Sequence, residues 1–241
     1  MSNKPLPKLK HLEYSKTLPL SGKLISFRPY NVGDERILLA AAAAKDDDKN
    51  FYIRNTLNVI QGAILNDVNI NTLPAVDVRY LLLHQRAKAV GETLEIRVDG
   101  KVIEINIDDF KVVNEKTKDD YKIDIGGGFG LLMKDLTFED EIKASSSIES
   151  KENNALIFFE ILYNSVKAIY SAEDIWTIGE DIELENAKEF INTISGAATK
   201  KIYEFIHNVP TITIDVVIDG KTITLNDRDV DFLDSQSAMS Q

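Results

Sequence analysis

The sequence predicts an α+β fold in which helical lobes are each followed by an antiparallel β-hairpin, a helix-plus-hairpin unit used twice. Three observations predict it. Residues 93–107 and 213–225 are both runs of β-formers centred on Asp-Gly-Lys, and an Asp-Gly pair suits a two-residue type I′ hairpin turn, whose central positions both need positive φ. Each run follows a segment with apolar residues at helical spacing, ending near Val90 and His207. The same offsets from each turn also build an apolar face: Ile96 with Ile103 and Leu94 with Ile105 in the first copy, Val216 with Ile223 and Ile214 with Leu225 in the second.

The remaining elements follow in order. Residues 1–12 are Lys- and Pro-rich without periodicity, and are expected to form an extended arm. The Pro19-Leu-Ser-Gly22 turn separates two extended runs within 13–28, where Ile25 and Phe27 alternate with Leu24, Ser26 and Arg28, so a hairpin is expected. Pro29 pushes Arg28 into extended geometry, and Asn31 then caps a helix whose first turn carries Asp34 and Glu35 against the positive end of its dipole. That helix runs through the alanines to about Ala44. Ile53, Leu57, Ile60 and Ile64 share one face of a second helix, capped by Asp48 or Asn50. A third is expected to start at Asp77 and run through Tyr80-Leu-Leu-Leu83 to Val90, with Gly91 in the αL stop position.

Further along, 119–134 reads as two strands joined across Gly126-Gly-Gly-Phe-Gly130, and 145–150 as a linker. Leu156, Phe159, Leu162 or Tyr163, Val166 and Ile169 then form one helical stripe. Leu184, Ala187, Ile191 and Ile194 form another, and Ile202, Phe205 and Ile206 a third before Pro210. The tail beyond Leu233 is expected to fray. The expected division is an N-terminal α+β lobe over 1–145, with hairpins at 13–28 and 93–107, and a C-terminal helical lobe over 146–241 with its hairpin at 213–225.

Composition narrows the function classes. With 44% apolar residues the chain is long enough for a substantial core. A formal charge of −11 and a pI near 4.8 disfavour a nucleic-acid partner, which needs clustered Lys and Arg, and leave a protein with basic patches open. Without cysteine there are no disulfides, thiolate nucleophiles or Cys-based zinc sites. No segment approaches the roughly 20 apolar residues of a membrane span, and no signal peptide is legible, so a soluble, unprocessed protein is expected.

No catalytic, cofactor or metal site is expected either. The 126–130 glycines lack the Gly-Lys-Ser/Thr closure of a P-loop and the following helix of a dinucleotide site, and are read as a strand connection. His11, His84 and His207 lack metal-ligand spacing; His207 suits the negative end of a helix dipole. Asp46-Asp-Asp48 and Asp227-Arg-Asp229 lack the spacing of a calcium loop. Glu139, Asp140 and Glu141 form the one carboxylate group to be tested for a hydrolase pair. Trp176 is read chiefly as core, with an interface anchor as the alternative.

The block from Leu18 to Leu39, with its Leu-Pro, Gly-Lys, Phe27-Arg28-Pro29, acidic-pair and Leu-Leu-Ala order, resembles the opening of the baseplate hub subunit family of T-even-like, contractile-tailed bacteriophages. Leu73-Pro-Ala-Val-Asp77 through Arg86-Ala-Lys-Ala-Val-Gly91-Glu92 is similar to the same family's Pro, Asp, Tyr-Leu and Arg-Ala-Lys-Ser-Val-Gly-Glu helix, with Ala89 in place of Ser. Lys201-Ile-Tyr-Glu-Phe-Ile-His-Asn-Val-Pro210 is similar to its last helix before the final hairpin. The resemblance implies a non-enzymatic hub subunit or hub assembly factor that acts through protein–protein contacts. Its partners would be other baseplate hub or tail proteins, met in the host cytoplasm during assembly or in the virion tail baseplate. A chaperone of the tail tape-measure protein is the alternative, and a carboxylate-dependent tail hydrolase a further one. The matched positions Phe27, Arg28, Pro29, Arg86, Gly91 and Glu92, together with Trp176, are the candidate interaction positions; a local Arg86–Glu92 pair and a helix stop at Gly91 are the structural reading of the last three.

Overall fold

In the computed structural model, residues 10, 12–44, 47–98, 101–141 and 154–227 are described. The expected arm, apart from residues 10 and 12, the 145–150 linker, the Asp99-Gly100 turn and the C-terminal tail lie outside them. No helix among the described residues is long and apolar enough to cross a membrane.

The chain opens with β1 (Tyr14–Thr17) and β2 (Leu24–Phe27), an antiparallel pair in which Tyr14 faces Phe27. Ile25 and Phe27 point into the core, as the alternation predicts. Helix α1 (Val32–Ala43) begins at a full capping box: the Asn31 side chain accepts from the Gly33 and Asp34 amides, and the Asp34 carboxylate accepts from the Asn31 amide. Helix α2 (Lys49–Ala63) is capped by Asp48, which accepts from the Phe51 amide, and buries Ile53, Leu57 and Ile60 on one face. Ile64 ends the helix and bridges to Phe27.

Helix α3 (Ala75–Val90) starts two residues earlier than expected, behind Pro74, and is the axle of this region. Its buried residues serve two cores. Val76, Leu83 and Ala87 pack with the hairpins, whereas Ala75, Val78, Leu81 and Leu82 pack with β2 and α2. Gly91 ends it with φ 150° and ψ 153°, not in the αL region. That extended, positive-φ conformation is open to glycine alone, and it sends the chain straight into a strand.

That strand, β3 (Thr93–Val98), pairs with β4 (Lys101–Asn106) in the expected register, Leu94 opposite Ile105 and Ile96 opposite Ile103. After β5 (Lys111–Val113), β6 (Lys122–Gly126) and β7 (Phe129–Met133) form a hairpin around Gly127 and Gly128, both at positive φ. Helix α4 (Asn154–Ser165) follows, then β8 (Val166–Tyr170) and β9 (Ile175–Thr177). β6, β7, β8 and β9 make a four-stranded antiparallel sheet in that order.

This sheet corrects the expected continuous stripe, because Val166 and Ile169 are strand residues. The Ser165 hydroxyl donates to the Ile161 carbonyl in the last turn of α4, and the β-branched, alternating Val166-Lys-Ala-Ile-Tyr170 takes over as strand. Helices α5 (Leu184–Ile191) and α6 (Gly196–His207) cover the sheet through Ala187, Ile191, Ile202 and Phe205. The last hairpin is β10 (Thr211–Ile218) with β11 (Lys221–Asn226). Val216 faces Ile223 and Ile214 faces Leu225, around Asp219 and Gly220 at φ 50° and 77°, as a type I′ turn requires.

The two helix-plus-hairpin units, α3 with β3–β4 and α6 with β10–β11, do not lie apart. Leu94 and Ile105 of the first hairpin share one core with Ile214, Val216 and Leu225 of the second. Lys101 and Asp219 form an ion pair of 2.6 Å, and β5 adds to the free edge of β10. Each hairpin thus hides the apolar face of the other, which neither could do alone.

Candidate docking surface

The sequence blocks singled out above meet around α3 and α1. Asp77, fully buried in the first turn of α3, accepts from the Leu20 and Ser21 amides at 3.0 and 2.8 Å, which pins the Pro19–Gly22 turn to the helix. Phe27 is core, with its ring 6.0 Å from that of Tyr14. Arg28 is a corner piece. Its guanidinium holds the Asp34 carboxylate at 2.5 Å and donates to the carbonyls of Pro29 (3.0 Å) and Gly62 (3.3 Å), joining the end of β2 to the start of α1 and the end of α2. Arg86 reaches the same place from α3. Burial lowers its pKa, and the nearby Tyr30 hydroxyl and Glu35 carboxylate act in the opposite direction. Tyr30 is itself pushed up to about 12, by burial first, with Arg86 opposing and Glu35 adding.

Arg28 therefore fastens the first turn of α1, and Arg86 lies within electrostatic reach of it. The expected Arg86–Glu92 pair takes another form. Glu92 is held by Lys88 one turn back, a pairing favoured by i, i+4 spacing, while Tyr30 and Glu35 are the titratable groups felt by Arg86. Gly91 sets the exit of α3, and Trp176 lies on a different sheet, half-buried beside Phe129.

What Arg28 holds is an unusual helix. Of its twelve residues, Ala41 alone is fully buried. Val32 is 82% exposed and Leu39 47%, and Arg36, Ala40 and Ala43 are also exposed. Positions 32, 36, 39, 40 and 43 fall on one face at helical spacing. A helix apolar on every side belongs in an interior; α1 packs its inner face on α2 and leaves this outer stripe in solvent. The sequence carried the signal, since Ile37-Leu-Leu-Ala-Ala-Ala-Ala-Ala44 holds no polar residue for an outer face, but the helix reads as core until its neighbours are known.

The residues weighed for chemistry serve elsewhere. Glu141 pairs with Arg79, which also holds Asp227 at 2.6 Å, and Asp140 accepts from the Thr137 hydroxyl at 2.7 Å. Among the described residues Glu139 is the single carboxylate lining an open groove of about 610 Å³ with Asn50, Ile53, Arg54, Leu57, Asn58 and Asn71, whereas a carboxylate-pair hydrolase needs two facing a cleft. His84 is buried in α3, and His207 Nδ1 lies 2.9 Å from the Tyr203 carbonyl. Among the described residues no three His, Asp or Glu side chains are grouped to hold a metal ion.

Fold and site together define a class: an α+β protein of interlocked helix-and-hairpin units that presents a bare apolar helix on a charged scaffold. The sequence matches the family described as T4 bacteriophage base plate protein over residues 11–227. The chain belongs to that family. No curated protein and no solved structure gives a significant match.

Proposed function

We propose that this chain is a non-enzymatic subunit or assembly factor of the baseplate hub, and that the outer stripe of α1 is where another baseplate protein docks. Membership of a baseplate family supports the setting, and with it partners among phage tail proteins and a place in the virion tail. The observation that carries the docking role is the bare stripe of Val32, Leu39, Ala40 and Ala43 on a helix whose first turn is clamped by Arg28 and approached by Arg86. Rigid presentation lowers the ordering cost of association.

The partner that fits is a helix with an aliphatic stripe and a carboxylate. Ala40 and Ala43 allow close approach of two helix backbones, and exposed Arg36 supplies the charge that an acidic side chain would meet. A second copy of α1 fits poorly. Its stripe carries Arg36 and no carboxylate, so two copies would bring like charges together.

The test is complementation of a phage lacking this protein. The intact chain should restore complete baseplates and infectious tails. A Leu39→Glu variant, folded by circular dichroism, should not, because it places a charge in the stripe. Normal assembly with Leu39→Glu would remove α1 as the docking site, and complete, infectious tails without the protein would remove the hub role itself.

A further inference from the structure

We propose a second docking surface, on the four-stranded sheet, that takes an apolar segment of a different baseplate protein flanked by basic residues. This inference rests on the baseplate reading and adds to it a second partner, so that the chain bridges two proteins.

Three rings form the centre of the surface. Phe129 at the start of β7 lies 6.3 Å from Trp176 on β9 and 5.8 Å from Phe190 on α5. Phe129 is 38% exposed, and both Trp176 and Phe190 are half-buried against the core beneath. The cluster lies where the sheet meets α5, anchored on the core with Phe129 as its exposed member, and such an anchored aromatic group has the composition of a binding hot spot.

The rim gives the partner its charge. Glu173, Asp174, Glu180, Asp181, Glu183 and Glu189 are all exposed on the turns around β9 and on and just before α5. The single base in that stretch, Lys188, is already held by Glu185 and Glu160, at 3.1 and 3.8 Å. A second copy of this chain, with a net charge of −11, would be repelled. Strand addition is disfavoured as well. β9 is the edge of its sheet, but the Thr177 amide donates to the Asp181 carboxylate at 2.8 Å and the Thr177 carbonyl accepts from the Glu180 and Asp181 amides. The acidic turn closes the edge, leaving side-chain recognition: an apolar residue on the rings, with Lys or Arg on either side.

Trp176 is the only tryptophan in the chain, so replacing it with 7-azatryptophan, which can be excited to the red of ordinary tryptophan, gives an emission from this surface that the partners' own tryptophans do not share. The experiment titrates the full chain with each of the other baseplate proteins of the same virion, purified singly, at about 50 and about 500 mM salt, a range over which screening of exposed charges becomes strong. One of them should shift the Trp176 emission. Its binding should weaken about tenfold or more at the higher salt, and by about tenfold in a Glu180→Lys/Glu183→Lys variant, because two charge reversals set like charges against a basic partner. It should survive Leu39→Glu. The proposal is overturned if no baseplate protein shifts the emission, if the shift ignores salt and both lysines, or if it reports self-association. Assembly that depends on α1 but not on these charges would leave the baseplate reading intact and remove this surface; assembly that needs neither would remove both.

Discussion

Replacing Arg28 by Ala removes the link that fastens β2, α1 and α2 to one another. The guanidinium makes a two-nitrogen contact with Asp34 and donates to the Pro29 and Gly62 carbonyls, with the Arg28 and Asp34 side chains only 17% and 14% exposed. Cutting one partner from a shielded pair of this kind costs about 3–5 kcal/mol when the other charge is stranded. Asp34 is not wholly stranded, because it still accepts from the Asn31 amide. The expected loss is therefore at the lower end, about 3 kcal/mol. Urea unfolding measures it, and hydrogen exchange locates it: α1 amides should lose protection before those of α3. Arg28→Lys should recover about half, since an ammonium cannot reproduce the fork that spans a carboxylate and two carbonyls. A loss under about 0.5 kcal/mol, the range of an ordinary surface substitution, or unchanged protection of α1 would refute the clamp.

Stability should also fall in mild acid through His84. Burial, reinforced by Lys16 and Lys88 and opposed by Asp108, lowers its pKa from 6.5 to about 4. The unfolded chain thus takes up the proton first, so this contribution is complete above about pH 6.5 and drains away as the pH falls toward 4. Between pH 7.5 and 5 the loss is about 2 kcal/mol by linkage, and His84→Gln should flatten that part of the urea-midpoint profile. Arg79→Met should cost about 3 kcal/mol, because it removes the cation shared by Glu141 and Asp227, whose side chain is 5% exposed and keeps the Ile212 amide as a donor; a thermal melt within a degree of the intact protein would refute the shared-ion account. Gly220→Val should cost about 1 kcal/mol or more by forcing a β-branched residue to a φ of 77°, and a neutral result would mean that the turn has another geometry.

Where local chemistry decides the structure, the sequence was legible. The period of two matched both hairpin registers residue for residue, with the Asp219-Gly220 turn closing the second, and Asn31 with Asp34 marked the start of α1. The switch from α4 to β8 was not legible, because Val166 and Ile169 fit a helical stripe as well as they fit alternate strand positions. Contacts between distant segments were hidden for a different reason. Nothing local in Lys111-Val-Val113 says that it will pair with β10, and nothing local in Arg79 says that it will hold Asp227, 148 residues away. Arg28 was chosen from the sequence as a position to test, but its link between β2, the start of α1 and the end of α2 appeared only when those elements were in place. The bare face of α1 was hidden by its own composition, since an alanine-rich apolar helix is ordinarily interior.

The most direct test of the central claim is site-specific photo-cross-linking during tail assembly, with the photoreactive residue placed at Ala40 on the outer stripe of α1 and, as a control, at exposed Thr222 on β11. Docking through α1 predicts a covalent adduct between position 40 and one defined baseplate protein, absent from position 222 and lost when Arg28→Ala loosens the helix. Complete, infectious tails that carry no adduct at position 40 would contradict it.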